Sequence, residues 1–292
     1  MGALGADTAV VPADGPGRFR ASLARDWEIW GPNGGYLASV ALRAAGAATQ
    51  LPRPATFSCL FIGVGSFDTD VDIEVTSIRR AKRAEAMRVC ITQDDRALLE
   101  AHVWAVDDGL PGLEHDVAVA PDVPGPDELK SFEELAPDEK PHRFWRNFVG
   151  KPVTYVPPGE WPPPPPTEPV VRQWMRFAPV ARYEDDPWID ACRSVVLLDT
   201  FQWPASHRAH LHRGPDDPAF IAPNMDLSIR FHRPAAASEW LLVDSVGPVA
   251  ESGLMAAEAR VWSEDRRLVA SAAGHLLCRE VPRGTPGSGT VA

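Results

Sequence analysis

Two stretches of this 292-residue chain place reactive groups where an ordinary core would not need them. The first is "WGPNGGYLASVALRAAG", Trp30 to Gly46, where Asn33, Gly34 and Gly35 open a run whose one charged residue is Arg43. The first amides of a helix lack partners inside it, and the helix dipole adds positive potential there. Glycine lets a ligand approach that backbone closely. Gly34 and Gly35 therefore either present amides to a polar ligand or merely admit the helix beneath a curled sheet. The second stretch is "SVVLLDTFQW", in which Asp199 interrupts an apolar run. A buried carboxylate is costly unless paired or put to use. Asp199 thus either caps or pairs, with Arg193 or a backbone amide, or takes part in chemistry.

Other candidates are weaker. "SIRRAKR", Ser77 to Arg83, reads as a solvated turn between strands or as a patch for a phosphorylated cofactor. His207, His210 and His212 lie close together in "SHRAHLHRG", but no carboxylate follows until Asp216, which favours a solvated loop over a metal site. The chain has no G-x-S-x-G elbow, no phosphate-binding G-x-x-x-x-G-K-[ST] loop and no dinucleotide fingerprint.

The elements that must position these residues are readable from periodicity. Gly34 to Ala48 is apolar nearly all round, as a helix buried on every side would be, and Pro32 and Asn33 suit its start. Pro187 to Phe201, "PWIDACRSVVLLDTF", is a second such helix with Pro187 in its first turn. "DVDIEVTSI" alternates strictly, with Val71, Ile73 and Val75 on one face. "AMRVCITQDDRALLEAHVWAV" reads as strand, Asp-Asp turn and strand. "EWLLVDSV" and "LMAAEARVWSEDRRLVASAAGHLLC" repeat that plan. "DDRALLEA" and "EDRRLVAS" begin 170 positions apart, and the same offset pairs Phe61 with Phe231, Val71 with Leu241, and Ile91 with Val261. Each half is one buried helix followed by antiparallel strands.

Composition bounds the rest. A hydrophobic content of 45% supports a large core, and the net charge of −11 argues against a nucleic-acid surface. Cys59, Cys90, Cys192 and Cys278 form no C-x-x-C pair and read as buried thiols in a reducing compartment. The N-terminal residues lack the pattern of a signal peptide, and no segment is apolar for long enough to span a membrane, so a soluble cytoplasmic protein is expected. Scattered tryptophans such as Trp104, Trp174 and Trp262 suit core or strand positions. Residues 109–168 are expected to be a proline-rich connection, in which Pro162 to Pro166 must be extended while Phe132, Phe144, Trp145 and Phe148 pack down. It separates a unit at 1–108 from one at 169–281; residues 1–15 and 282–292 are expected to be loose.

These motifs resemble the double-hotdog acyl-CoA thioesterases, particularly the acyl-CoA thioesterase II type and its thioesterase-like relatives. The likeness rests on "WGPNGGYLASVALRAA", "LLDTFQWPA", "MDLSIRFHRP", "EWLL" and "LVAS", and spans nearly the whole chain except the connection and the tails. The resemblance implies an α+β fold, a double hotdog in which two antiparallel sheets each curl around a central helix. It implies hydrolysis of acyl-CoA to free acid and CoA by direct water attack, with the thioester oxygen held by the Gly34 and Gly35 amides. In the thioesterase II relatives an aspartate, a threonine and a glutamine hold the water. Asp199 matches the aspartate, and Asn224 falls where the threonine belongs. Gly274 falls where the glutamine belongs, beside His275, which reaches the site only if the strand register differs by one. Ser58 stands where relatives carry a histidine, and "GVGS" replaces an Arg-Pro pair. Asn33 and Tyr36 are candidate substrate contacts, and Arg80, Lys82 and Arg83 are candidates for the CoA phosphates. No cofactor or metal is implied, and pairing of chains into a homodimer fits the pattern. The departures at Gly274 and Ser58 keep open a non-catalytic acyl-CoA or lipid-binding protein; a hotdog hydratase is the third reading.

Overall fold

The computed structural model describes residues 2–155, 168–180, 183, 186–211 and 219–281. Pro162 to Pro166, His212 and the 282–292 tail lie outside the described residues. The helices are α1 (Leu4–Asp7), α2 (Gly34–Ala48), α3 (Phe132–Leu135), α4 (Pro187–Thr200) and α5 (Gln202–Arg208). The first-half strands are β1 (Val11–Pro12), β2 (Arg18–Ala21), β3 (Arg53–Phe61), β4 (Val71–Arg80), β5 (Ala84–Gln93) and β6 (Arg96–Val106). Next come β7 (Phe148–Pro152), β8 (Val170–Phe177), β9 (Ala219–Ile221) and β10 (Asp226–Phe231). The last four are β11 (Leu241–Glu251), β12 (Leu254–Trp262), β13 (Leu268–Leu277) and β14 (Arg279–Val281).

The two apolar runs form the long helices, each with a side-chain cap. Asn33 Oδ1 accepts the Tyr36 amide at 2.9 Å to start α2. The Asp186 carboxylate accepts the Trp188 and Ile189 amides, both at 3.0 Å, and Pro187 fills the first turn of α4. The helices run antiparallel in contact. Gly35 lies against Val195 and Val196, Ser39 Oγ donates to the Cys192 carbonyl at 3.4 Å, and Gly46 abuts Trp188. A Cβ on Gly35 would stand 2.8 Å from Val196 Cα, so only glycine permits this approach.

Twelve strands form one antiparallel sheet in the order β1-β2-β4-β5-β6-β3-β10-β13-β12-β11-β8-β7. This corrects the expectation of two separate sheets: β3 and β10 pair directly, so the halves share an unbroken ladder. Ser58 faces Ser228 at that seam, with Cys59 opposite Leu227 and Phe57 opposite Ile229. The facing serines are 170 positions apart, the same offset as the sequence repeat. Outward from the seam the order is β3-β6-β5-β4 on one side and β10-β13-β12-β11 on the other, so the repeat becomes a local twofold. Helix α2 packs on the first-half strands and α4 mainly on those of the second. Val71, Ile73 and Val75 of β4 point inward as their alternation predicts. The Asp94-Asp95 turn between β5 and β6 has positive φ at both residues, 50° and 61°, as a tight two-residue hairpin requires.

The N-terminal residues are not loose. Leu4 is buried, the Gly2 amide donates to Asn147 Oδ1 at 2.8 Å, and Trp27 Nε1 donates to Asp7 at 2.9 Å. Parts of the connection are also fastened down. Phe144 and Phe148 pack around Trp27, β7 pairs with β8, and Trp174 Nε1 donates to the Pro124 carbonyl at 2.9 Å. Phe132 remains partly exposed while touching Tyr155. Cys59 and Cys192 are buried; Cys90 is half-buried because it faces outward on β5, and Cys278 is half-buried at the edge of a small cluster with Met255 and Leu276. Trp174 and Trp262 are core residues; Trp104 lies on a strand but is exposed.

Candidate active site

Because α2 and α4 run antiparallel, the last turn of α4 lies beside the first turn of α2, and Asp199 sits at that meeting point. Its Oδ2 accepts the Gly35 amide at 2.6 Å and Asn33 Nδ2 at 3.4 Å. Its Oδ1 accepts Asn224 Nδ2 at 2.6 Å, and Nδ2 also reaches the Asp199 carbonyl at 3.1 Å. Asn224 is fixed just before β10 by a bridge to Leu276 of β13. Asn33 Nδ2 further contacts Thr200 Oγ1 at 3.4 Å.

No Lys or Arg among the described residues forms an ion pair with this carboxylate. Arg193, the alternative partner, is buried against Asp190 and donates to the carbonyls of Ser238 at 2.8 Å and Ala235 at 2.6 Å. Asp199 is 5% exposed, and burial pushes its carboxyl up from 3.8 to about 6, against the opposing hydrogen bonds from Asn224, Gly35 and Asn33. A carboxylate tuned this way can take a proton near neutral pH.

The structure brings together Asp199, Asn224, Asn33, Gly34 and Gly35, and gives two of them altered parts. The Gly35 amide is occupied by Asp199, so it holds the acid rather than standing open to a thioester oxygen. Asn33 caps α2 and touches the acid rather than reaching outward. Gly34 stays half-buried; a Cβ there would press on Asp199 at 2.9 Å and on Phe61 at 3.1 Å.

Five of the expected site residues do not lie beside Asp199. His275 is exposed, on the opposite face of β13 from buried Gly274, because neighbours on a strand alternate. Tyr36 is buried and stacked on Trp27, donating to the Asp7 carbonyl at 2.7 Å and accepting the Ala24 amide at 2.9 Å. These contacts pack it into the core, and burial pushes its phenol far up. Arg80 is bound to Glu85, which also accepts Thr49 just past the C-terminus of α2. A 15-residue helix is about 22 Å long, so this hairpin lies at the far end of α2 from Asp199. Arg83 is tied to Asp107 and Lys82 is exposed on the same turn. Ser58 is exposed at the seam and bonded to Ser228 at 3.3 Å.

Gln202 and Thr200 escaped the sequence reading. Gln202 is fully buried against Gly274, and its position three residues after Asp199 was the available signal, since residues so spaced share a helical face. Among the described residues no group of three His, Cys, Asp or Glu is placed to hold a metal ion, and His207 stacks on Trp203. No helix among them is long and apolar enough to cross a membrane.

A large antiparallel sheet carrying a buried helix pair, with a single acid at the helix junction, defines a hotdog-fold protein of α+β class. Residues 23–106 match the family model described as the acyl-CoA thioesterase N-terminal domain, and residues 126–277 match that of the C-terminal domain. The chain belongs to the acyl-CoA thioesterase family, and the family is one of thioesterase enzymes. The fold is shared with a protein of unknown function with a hot dog fold from Alicyclobacillus acidocaldarius, at TM-score 0.78 and 20% identity over 96% of this chain and 98% of that one. An acyl-CoA thioesterase II from Mycobacterium marinum aligns at TM-score 0.75 and 18% identity over 96% and 99%. A tesB protein from Mycobacterium avium subspecies paratuberculosis aligns at 0.72 and 21% over 94% and 98%.

Proposed function

We propose that this chain hydrolyses acyl-CoA thioesters by direct attack of water, with Asp199 as the general base. The observation that supports this most is a buried carboxylate, raised to about 6, held by three neutral donors and, among the described residues, no cation. Water gives a proton to Asp199 while its oxygen bonds to the thioester carbon. The oxyanion faces the N-terminus of α2, where the Gly34 amide and the helix dipole stabilise it. Collapse breaks the carbon–sulfur bond, and the proton held by Asp199 passes to the departing CoA sulfur, leaving free acid and thiol. The Gly35 amide and Asn224 keep the acid's lone pairs aimed. Each half, 1–108 and 169–281, is one hotdog unit, the first supplying the helix N-terminus and the second the acid.

The test is release of free thiol from acyl-CoAs of graded chain length by the wild-type chain and by Asp199→Asn. Saturable release that the substitution abolishes is expected. Saturable binding without release would replace this reading with that of a non-catalytic acyl-CoA binder.

A further inference from the structure

The outward face of the second-half sheet carries a trough that runs along β13. Strand β13 offers small side chains there, Ser271 and Ala273, while its neighbours raise long ones on either side. Arg230 and His232 stand at the end of β10, and Arg260 and Glu258 on β12. The cavity between them is about 360 Å³. Arg230 and Arg260 both pair in register with Ser271, so they flank it from opposite sides. Their backbones are two strand spacings apart, ~10 Å, a gap that two guanidinium arms can close around a phosphate.

These two arginines are uncommitted. On this face Arg88 is bound to Glu100 and Arg172 to Asp244, and Arg233 beside it is bound to Asp116. Arg230 and Arg260 enter no ion pair among the described residues. His232 Nε2 lies 3.0 Å from Ser271 Oγ. Burial, and then the charges of Arg233 and Arg230, hold its imidazole below the ordinary range, with Asp116 opposing. The fold does not require these basic groups. The 170-residue offset sets Leu60, Ile62 and Cys90 of the first half at the positions of Arg230, His232 and Arg260. An equivalent strand surface is therefore built without any of the three.

We propose that this trough is a binding site for a phosphomonoester. Arg230 and Arg260 donate to its oxygens from two sides, in the forked geometry that suits a guanidinium to phosphate, and the Ser271 hydroxyl donates from the floor. Glu258 lines the same trough and weakens the attraction by its like charge. Ile229, Val261 and Ala270, which alternate with the gripping residues, belong to the core that holds the helices. The site thus lies on the other face of the sheet from α2 and α4, and it does not rest on the hydrolysis reading. Two sources can offer the group: a phosphate of the acyl-CoA itself, or a separate phosphorylated molecule.

Calorimetric titration with inorganic phosphate and with adenosine 3′,5′-bisphosphate tests the site. The variants are Arg230→Gln, Arg260→Gln, the two together, Glu258→Gln and, as a control, Arg88→Gln. Wild type should bind the bisphosphate saturably, each single arginine change should weaken it about tenfold, and the pair about a hundredfold. Glu258→Gln should tighten binding about threefold, because a like charge is removed. Arg88→Gln should leave it within about twofold, since it lies three strands from β10 and is screened. Arg230, Glu258 and Arg260 are exposed, so the unfolding temperature should hold; should an arginine variant fail to fold, Glu258→Gln decides by its opposite sign. No saturable binding by wild type, undiminished affinity in the double variant, an equal loss in Arg88→Gln, or no tightening in Glu258→Gln would each overturn the site. The source is read from KM for an acyl-CoA and for its 3′-dephospho analogue. A difference present in wild type and absent in the double variant identifies the substrate's own phosphate, and equal values identify a separate phosphorylated molecule. Absence of thiol release would overturn the hydrolysis reading and leave the site standing.

Discussion

The Gly35 amide donates to the Asp199 carboxylate at 2.6 Å, joining the first turn of α2 to the last turn of α4. One residue comes from each half of the chain. The bond therefore forms only when the halves are docked, and it couples the proposed chemistry to that docking. The helix end that would attract an anion is met by the protein's own acid, whose charge the dipole favours.

The first consequence concerns pH. The rate of thioester cleavage should rise to a plateau with a midpoint of about 6, where the Asp199 carboxyl loses its proton. Asp199→Asn should lower kcat by about a thousandfold and remove the midpoint, as read by thiol release across pH.

Stability should carry the same titration with the opposite sense from a salt-bridged acid. The folded state binds the Asp199 proton more tightly, near 6 against 3.8 when unfolded. Between those values the folded state holds more protons, so stability falls as pH rises and is lowest above 6. A shift of this size corresponds to about 3 kcal/mol. Urea unfolding at about pH 4 and about pH 7.5 should show wild type losing roughly that much relative to Asp199→Asn.

Asn224→Asp would set a second carboxyl 2.6 Å from Asp199 Oδ1, where an amide now donates. Two carboxyls this close cannot both ionise freely. The pair should share a proton, and the pH–rate midpoint should move upward by about one unit or more. An unmoved midpoint would mean that Asp199 is not the titrating base.

Gly35→Ala tests the helix contact. The added Cβ would lie 2.8 Å from Val196 Cα and 3.0 Å from the Val195 carbonyl, both backbone atoms that cannot swing aside. Overpacking of this kind costs about 1–3 kcal/mol. A lower denaturation midpoint and reduced activity are expected together, since the same shift moves Asp199.

Tyr36→Phe should separate packing from substrate contact. It removes the hydroxyl that bonds the Asp7 carbonyl and the Ala24 amide, at a cost of about 1–3 kcal/mol in stability. KM for acyl-CoA should stay within about twofold of wild type, because the ring faces Trp27 rather than the acid.

How much could be read in advance differs between elements. The apolar run from Gly34 to Ala48 and the alternation at Val71, Ile73 and Val75 announced their burial, because helix and strand periods are local properties. The offset of 170 residues foretold a repeated plan, and it reappears as the Ser58–Ser228 seam. What could not be read was that the seam closes into one ladder, since pairing between β3 and β10 depends on docking the two halves. The site was legible in its members, Asp199 and the glycines, but not in their contacts. His275 is adjacent to Gly274 in sequence and on the opposite face in space. Arg80 follows α2 in the same half yet lies at its far end.

By itself the sequence determined the two long helices, the strongly alternating strands, the repeat and the presence of one carboxylate in an apolar run, because each follows from the order of side chains along a local period. Tertiary structure alone decided that Asp199 meets Gly35 and Asn224, that Arg193 goes to Asp190 instead, and that Gln202 lies against Gly274. Those outcomes turn on an antiparallel crossing of two buried helices, where a few ångströms of approach select which donor meets which acid.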